Sequence, residues 1–220
     1  MPIQSAIKHF QASLPEGVTL VAVSKTKPVS DILQAYEAGQ RVFGENKVQE
    51  MCSKQPQLPN DIKWHLIGHL QTNKVKYIAH FVELIHGVDS LKLLKEIDKQ
   101  AKKHNRVISC LLQIYIAQEE TKFGLNEEEF VEIINSEEFK QLQNIKVVGL
   151  MGMATYTELD DQIRKEFTYL KSLFDKYKPL NTSNFQLSVL SMGMSGDYQI
   201  ALECGSTMIR IGSNIFGNRN

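Results

Sequence analysis

The pattern that most limits this chain is an alternation repeated eight times. A short apolar run, often β-branched, gives way within a few residues to a stretch whose apolar positions recur at helical spacing. Runs that are apolar throughout suit strands covered on both faces, and intervening helices are how parallel strands are joined. The predicted strands cover residues 19–23, 41–43, 62–67, 81–86, 107–116, 145–150, 185–190 and 207–211. The predicted helices cover 29–38, 46–54, 72–79, 91–104, a segment opening at Asn126, 158–177 and 195–202, with a last turn or helix from Asn214. One more helix, over residues 2–12, comes first. Eight strand–helix units in 220 residues predict an α/β fold, a single (β/α)8 TIM barrel domain over residues 1–220 with an additional N-terminal helix. A doubly wound open sheet fits the same periodicity.

Local signals agree with these boundaries. Gly39 follows the apolar stripe of Val29, Ile32, Leu33 and Tyr36 and suits a helix stop. Asp89 or Ser90 can cap the helix from Leu91, and Asn126 with Glu129 three residues on forms a capping box.

Charge narrows the function classes. Lys and Arg total 25, as do Asp and Glu, so the net charge is zero and a broad basic face for nucleic acid is not expected. No run of 18 apolar residues marks a membrane span, and Met1-Pro2-Ile3-Gln4-Ser5 lacks the regions of a signal peptide. Cys52, Cys110 and Cys204 are scattered and odd in number, which fits neither a disulfide framework nor a zinc motif but does fit a reducing cytoplasm. Cys110 lies in an apolar run and reads as core. A charge-balanced barrel without an exposed apolar stripe is expected to be a monomer.

In a barrel the C-terminal strand ends share one mouth, where sites are built. Those ends carry Lys25, Asn46, His65 with Gly68, His86 with Gly87, Tyr115, Met151, Ser191 to Ser195, and Arg210 with Gly212. Lys25 follows the first strand, and Pro28 then opens a helix. A partly desolvated lysine there is an amine nucleophile toward a carbonyl, or else a surface lysine ending a strand. Ser191-Met192-Gly193-Met194-Ser195-Gly196-Asp197 and Arg210-Ile211-Gly212-Ser213-Asn214 follow the seventh and eighth strands. The loops at those positions often hold a phosphate, which points to Ser195, Gly212 and Ser213, although Ser195 also reads simply as a helix cap. An amine facing a phosphate site suggests a phosphorylated aldehyde, of which pyridoxal 5′-phosphate (PLP) is the common one. Arg210, facing the pyridine nitrogen, would keep it unprotonated; otherwise it pairs with an acid such as Glu203 or touches only the phosphate. His65 and His69 straddle a strand–loop junction without an evident third ligand, so no metal site is expected.

The runs Val21-Ala22-Val23-Ser24-Lys25, Phe43-Gly44-Glu45-Asn46 and Trp64 to Lys74 resemble the PLP homeostasis protein family. So do Gly149-Leu150-Met151, Leu190 to Asp197 and Gly205 to Gly212, in the same order over nearly the whole chain. The resemblance implies a fold-type III PLP barrel like the N-terminal domain of bacterial alanine racemase. It implies Lys25 as the Schiff-base lysine, Ser195, Gly212 and Ser213 around the phosphate, Arg210 at the pyridine nitrogen, and Asn46, Ser191 and Met192 lining the cofactor. Tyr115 departs from the pattern, since a smaller polar residue is expected there, and it bears on the pocket beside the fifth strand.

Racemases of this fold type add a β-rich domain, and racemisation needs two bases. The chain ends at Asn220 after the barrel, and no second base is evident at the mouth. The expectation is a protein that holds and delivers PLP in intracellular vitamin B6 and amino-acid homeostasis without robust turnover. Its partners would be PLP, with PLP-dependent apoenzymes or free amino acids. The alternative is a small racemase with His65, Tyr115 or Tyr156 as second base.

Overall fold

The computed structural model describes residues 2–119 and 123–217. Its strands, in chain order, are β1 (Thr19–Val23), β2 (Val42–Glu45), β3 (Lys63–Leu66), β4 (Leu84–Val88), β5 (Ile108–Gln113), β6 (Ile145–Met151), β7 (Asn181–Thr182), β8 (Phe185–Met194) and β9 (Met208–Ile211). Each of β1 to β6 pairs in parallel with the next, β6 skips to β8, β8 pairs with β9, and β9 returns to β1 with Val21 opposite Arg210. Eight parallel strands therefore close a TIM barrel, and the open-sheet alternative is excluded because both ends of the order are paired. β7 stands outside the ring as a two-residue antiparallel extension of β8.

The helices are α1 (Ile3–Ser13), α2 (Val29–Glu37), α3 (Val48–Lys54), α4 (Val75–Ile78), α5 (Leu91–Lys103), α6 (Glu127–Asn135), α7 (Glu137–Lys140), α8 (Asp160–Tyr177), α9 (Tyr198–Glu203) and α10 (Ser213–Phe216). Their caps follow local chemistry. Ser90 accepts from Leu93 N at the start of α5, and Asn126 and Glu129 form both bonds of a capping box on α6. Gly39 takes φ +99° just past α2, as a left-handed helix stop requires.

Alternation along the strands divides the apolar residues into two cores. Val21, Leu84, Leu111, Met151 and Met208 come from five strands and cluster with one another inside the ring. Their neighbours Leu20, Ala22, Ile85, Cys110, Leu112, Leu150 and Ile209 belong to a second, larger core shared with the helices. Burying each such large aliphatic side chain contributes about 1.5–3 kcal/mol.

Four boundaries differ from the sequence expectation. β4 runs to Val88, so His86 lies within a strand and not at its end. β5 stops at Gln113, so Tyr115 lies beyond it. β8 continues four residues past Leu190, through Met194, because Ser191 pairs with Met208 and Met194 with Arg210 across a bulge. The helix expected from Ser195 starts at Tyr198 with Asp197 at its N-cap, so Ser195 is not a cap. Among the described residues no helix is long and apolar enough to cross a membrane.

Candidate functional site

Lys25 comes two residues after β1, half-buried, in a turn whose next residue, Thr26, takes φ +64°. β1 and β9 are hydrogen-bonded neighbours, so Arg210, opposite Val21, is on the adjoining strand. Arg210 is 4% exposed. Its Nη1 donates to the Ser191 carbonyl at 2.9 Å and to Ser191 Oγ at 2.6 Å, and its Nη2 donates to the Gly152 carbonyl at 3.1 Å. Burial pushes its pKa down to about 10, against the pull of the Asp197 charge. Glu203, the carboxylate considered for it from sequence, is paired at 2.6 Å with Arg164 instead. Among the described residues no carboxylate forms an ion pair with Arg210.

Arg210, Ser191, His86 and His65 form one connected row inside the barrel. Ser191 Oγ lies 3.1 Å from His86 Nδ1, and His86 Nε2 lies 3.1 Å from His65 Nδ1. Arginine has no acceptor, so Ser191 Oγ accepts from Arg210 and keeps one lone pair and its own proton for His86 Nδ1. If the hydroxyl gives that proton, His86 carries its own on Nε2 and donates to His65 Nδ1. Both rings must be neutral for this pattern, and burial favours that: it pushes His65 down to about 3 and His86 well below the ordinary range, with Arg210 and His65 adding repulsion at His86. The strand ends do not disclose this row, because His86 and Ser191 lie within β4 and β8 and not at their tips. Met192, the next residue, is fully buried in the core against the helices, so its side chain faces away from Ser191.

The two loops expected at the phosphate do meet. Gly212 N donates to Ser195 Oγ at 3.2 Å, and Asn214 Nδ2 donates to the Ser195 carbonyl at 3.3 Å. Ser213 opens α10 and is exposed, and the first N–H groups of any helix lack partners within it. Asn46 directly follows β2 and is half-buried. Its main chain lies so close to Gly68 that a Cβ there would sit 2.4 Å from the Asn46 carbonyl oxygen. Tyr115 folds back on its own loop, its hydroxyl donating to the Glu119 carbonyl at 2.8 Å.

His69 stands apart from His65. It lies 3.5 Å from Asp89 and stacks on Phe123 at 5.6 Å between ring centres. Among the described residues no three His, Cys, Asp or Glu side chains gather as a metal site. Cys110 is fully buried, with burial pushing its thiol pKa up. Sequence reasoning missed one group altogether. Glu45 at the end of β2 is fully buried, and Lys54 of α3 is 6% exposed and bonded to it at 2.8 Å. The only sequence sign was the Glu50–Lys54 spacing of four, which marks a helix-surface pair as readily as a buried one.

The family model described as "Alanine racemase, N-terminal domain" matches residues 2–220. The chain is 41% identical to the pyridoxal phosphate homeostasis protein of Pasteurella multocida, over 99% of this chain and 95% of that protein. The chain belongs to the pyridoxal phosphate homeostasis proteins, in the alanine racemase N-terminal-domain family. A second relative of that name, from Aquifex aeolicus, is 42% identical over 91% of this chain and 86% of its own length. Among solved structures, PipY of Synechococcus elongatus with PLP bound superposes with a TM-score of 0.88 at 34% identity, covering 98% of this chain and all of PipY. An alanine racemase of Clostridium difficile shares the fold, with a TM-score of 0.77 at 14% identity, and this chain spans 56% of it.

Proposed function

We propose that this family member binds PLP, holds it as a Schiff base on Lys25, and serves intracellular PLP and amino-acid homeostasis without robust turnover. The observation that carries the reading is the placement of Lys25 just past β1 and of Arg210 on the adjoining strand β9, beside the loops joined by Ser195 and Gly212. The PLP bound in PipY and the names of the relatives support the same cofactor here.

The residues fit the group. Arg210 is a desolvated cation satisfied by carbonyls and a hydroxyl, so it cannot supply a proton to a pyridine nitrogen set against it and would leave that nitrogen unprotonated. Ser195, Gly212 and Ser213 would take the phosphate, with the N–H groups that open α10. Asn46 and Ser191 would border the ring, and Met192 would contribute main chain only. Bound PLP would supply a reactive aldehyde and an electron-poor ring; the chain would supply the amine, the anion site and the fixed guanidinium.

The second bases that a racemase would require find no support. His65 Nδ1 is engaged by His86, and the Tyr115 hydroxyl is engaged by the Glu119 carbonyl. Tyr156 is 94% exposed. This favours a carrier over an enzyme.

The test is the visible spectrum of the purified chain before and after borohydride, with mass spectrometry of the Lys25 peptide. A band lost on reduction and a phosphopyridoxyl mass on Lys25 are expected. A chain that stays colourless with added PLP would sink the reading. Turnover of a panel of free amino acids by the loaded chain would replace the carrier with an enzyme.

A further inference from the structure

The residues on either side of Lys25 are held by a charged cluster that lies outside the strand-end set. Lys54 Nζ donates to the Ser24 carbonyl at 2.8 Å, to Glu45 Oε1 at 2.8 Å and to Glu50 Oε1 at 2.6 Å. Those three bonds use all the protons of an ammonium. Ser24 Oγ donates to Glu45 Oε1 at 2.6 Å, and Thr26 N donates to Glu50 Oε1 at 2.6 Å. Ser24 and Glu45 are fully buried. The cluster thus grips the main chain immediately before and immediately after Lys25.

Its energetics do not explain it as a stabilising device. Buried ion pairs are often replaceable by apolar side chains at no loss of stability. Glu45 Oε2 is also buried without a hydrogen-bond partner, which by itself costs about 1–3 kcal/mol. Thr26 is a β-branched residue at φ +64°, a conformation that persists only where its surroundings over-determine it. Glu50 supplies that determination through the Thr26 N–H. The cluster spends stability on one outcome, a fixed path for the three residues centred on Lys25.

We infer that Lys54 is a positioning residue for Lys25, acting through Glu45 and Glu50 on Ser24 and Thr26. The inference rests on the reading of Lys25 as the Schiff-base lysine. In that reaction a bond forms between Lys25 Nζ and the aldehyde carbon, and the aldehyde oxygen leaves as water with the two amine protons. The amine must meet the carbonyl at a defined approach, so a displaced turn slows the step while leaving its chemistry unchanged.

The test uses the full chain stripped of cofactor. PLP is added, the rate of Schiff-base absorbance is followed, and borohydride trapping with peptide mass spectrometry counts the adduct on Lys25. Glu50→Ala is expected to slow labelling at least about tenfold while its thermal melt stays cooperative. Glu50→Gln is expected to recover most of the rate, because its amide oxygen still accepts from Thr26. Lys54→Met is expected to be slower still. The Glu50 side chain is 23% exposed, so its variants decide the matter if Lys54→Met fails to fold. Labelling of folded Glu50→Ala at the wild-type rate would overturn the inference. A wild type that binds PLP with no adduct on Lys25 would overturn the assignment of Lys25 itself, and the inference with it.

Discussion

A single nitrogen of Arg210, Nη1, donates to both the main-chain oxygen and the hydroxyl of Ser191. The hydroxyl accepts from a permanent cation and keeps a proton and one lone pair for His86 Nδ1, and which of them it uses sets the histidine tautomers. Removing the hydroxyl leaves Nη1 with one acceptor fewer and His86 Nδ1 without its partner. Ser191→Ala is expected to cost about 1–3 kcal/mol, read as a lower urea midpoint at unchanged m-value.

The two buried histidines also set an acid limit. Their folded pKa values lie below the ordinary 6.5, His65 at about 3 and His86 well down. Below pH 6.5 the unfolded chain therefore binds protons that the folded chain refuses, and stability falls as pH falls. The slope approaches about 1.4 kcal/mol per pH unit for each histidine. Glu45 works with the opposite sign, since burial raises its pKa and acid relieves that strain. Urea unfolding between pH 7 and 5 is expected to show a net loss toward acid. A flat profile over that range would mean that the pair does not resist protonation.

Glycine positions separate packing from flexibility. A Cβ on Gly149 would lie 1.9 Å from the Val189 carbonyl oxygen, on the β6–β8 seam, whereas nothing lies within 4 Å of one on Gly196. Gly149→Ala is expected to destabilise by about 3 kcal/mol, the upper end for overpacking, because main chain must move. Gly196→Ala is expected to stay within about 0.5 kcal/mol. Thermal melts of the two variants make the comparison.

Lys25→Arg keeps a cation in the turn but offers no amine that can become a nucleophile. Borohydride is expected to trap no phosphopyridoxyl group on residue 25, while the unfolding free energy from urea titration changes by less than about 1 kcal/mol. Covalent label appearing instead on another lysine would show that the mouth, and not that one residue, selects the amine.

The order of elements was legible because the barrel strands are mostly apolar and the longer helices carry apolar stripes, with side-chain caps at Ser90, Asn126 and Ser136. Lys25 and Arg210 were legible as polar residues bounding or interrupting apolar runs. What escaped is tertiary in origin. Ser191 to Met194 looks like a glycine-bearing loop, yet pairing with β9 carries the strand through it, with Gly193 at φ +97° absorbing the irregularity. Glu45 looks like the start of a turn, and its buried partner Lys54 looks like the exposed end of a helix. Neither residue's neighbours disclose the other, because the contact exists only once α3 has packed against the barrel.

The closure of β1 onto β9 bears on how the molecule is made. Strand pairing within the first half of the chain proceeds locally, but Thr19 meets Met208 only after nearly all the intervening chain is available. Until then the growing sheet carries two raw edges, the kind of surface that recruits foreign strands and calls for protection by chaperones. Lys25 and Arg210 flank that last seam. A chain lacking β9 keeps Lys25 but loses Arg210, and it leaves both β1 and β8 without their partner along that seam.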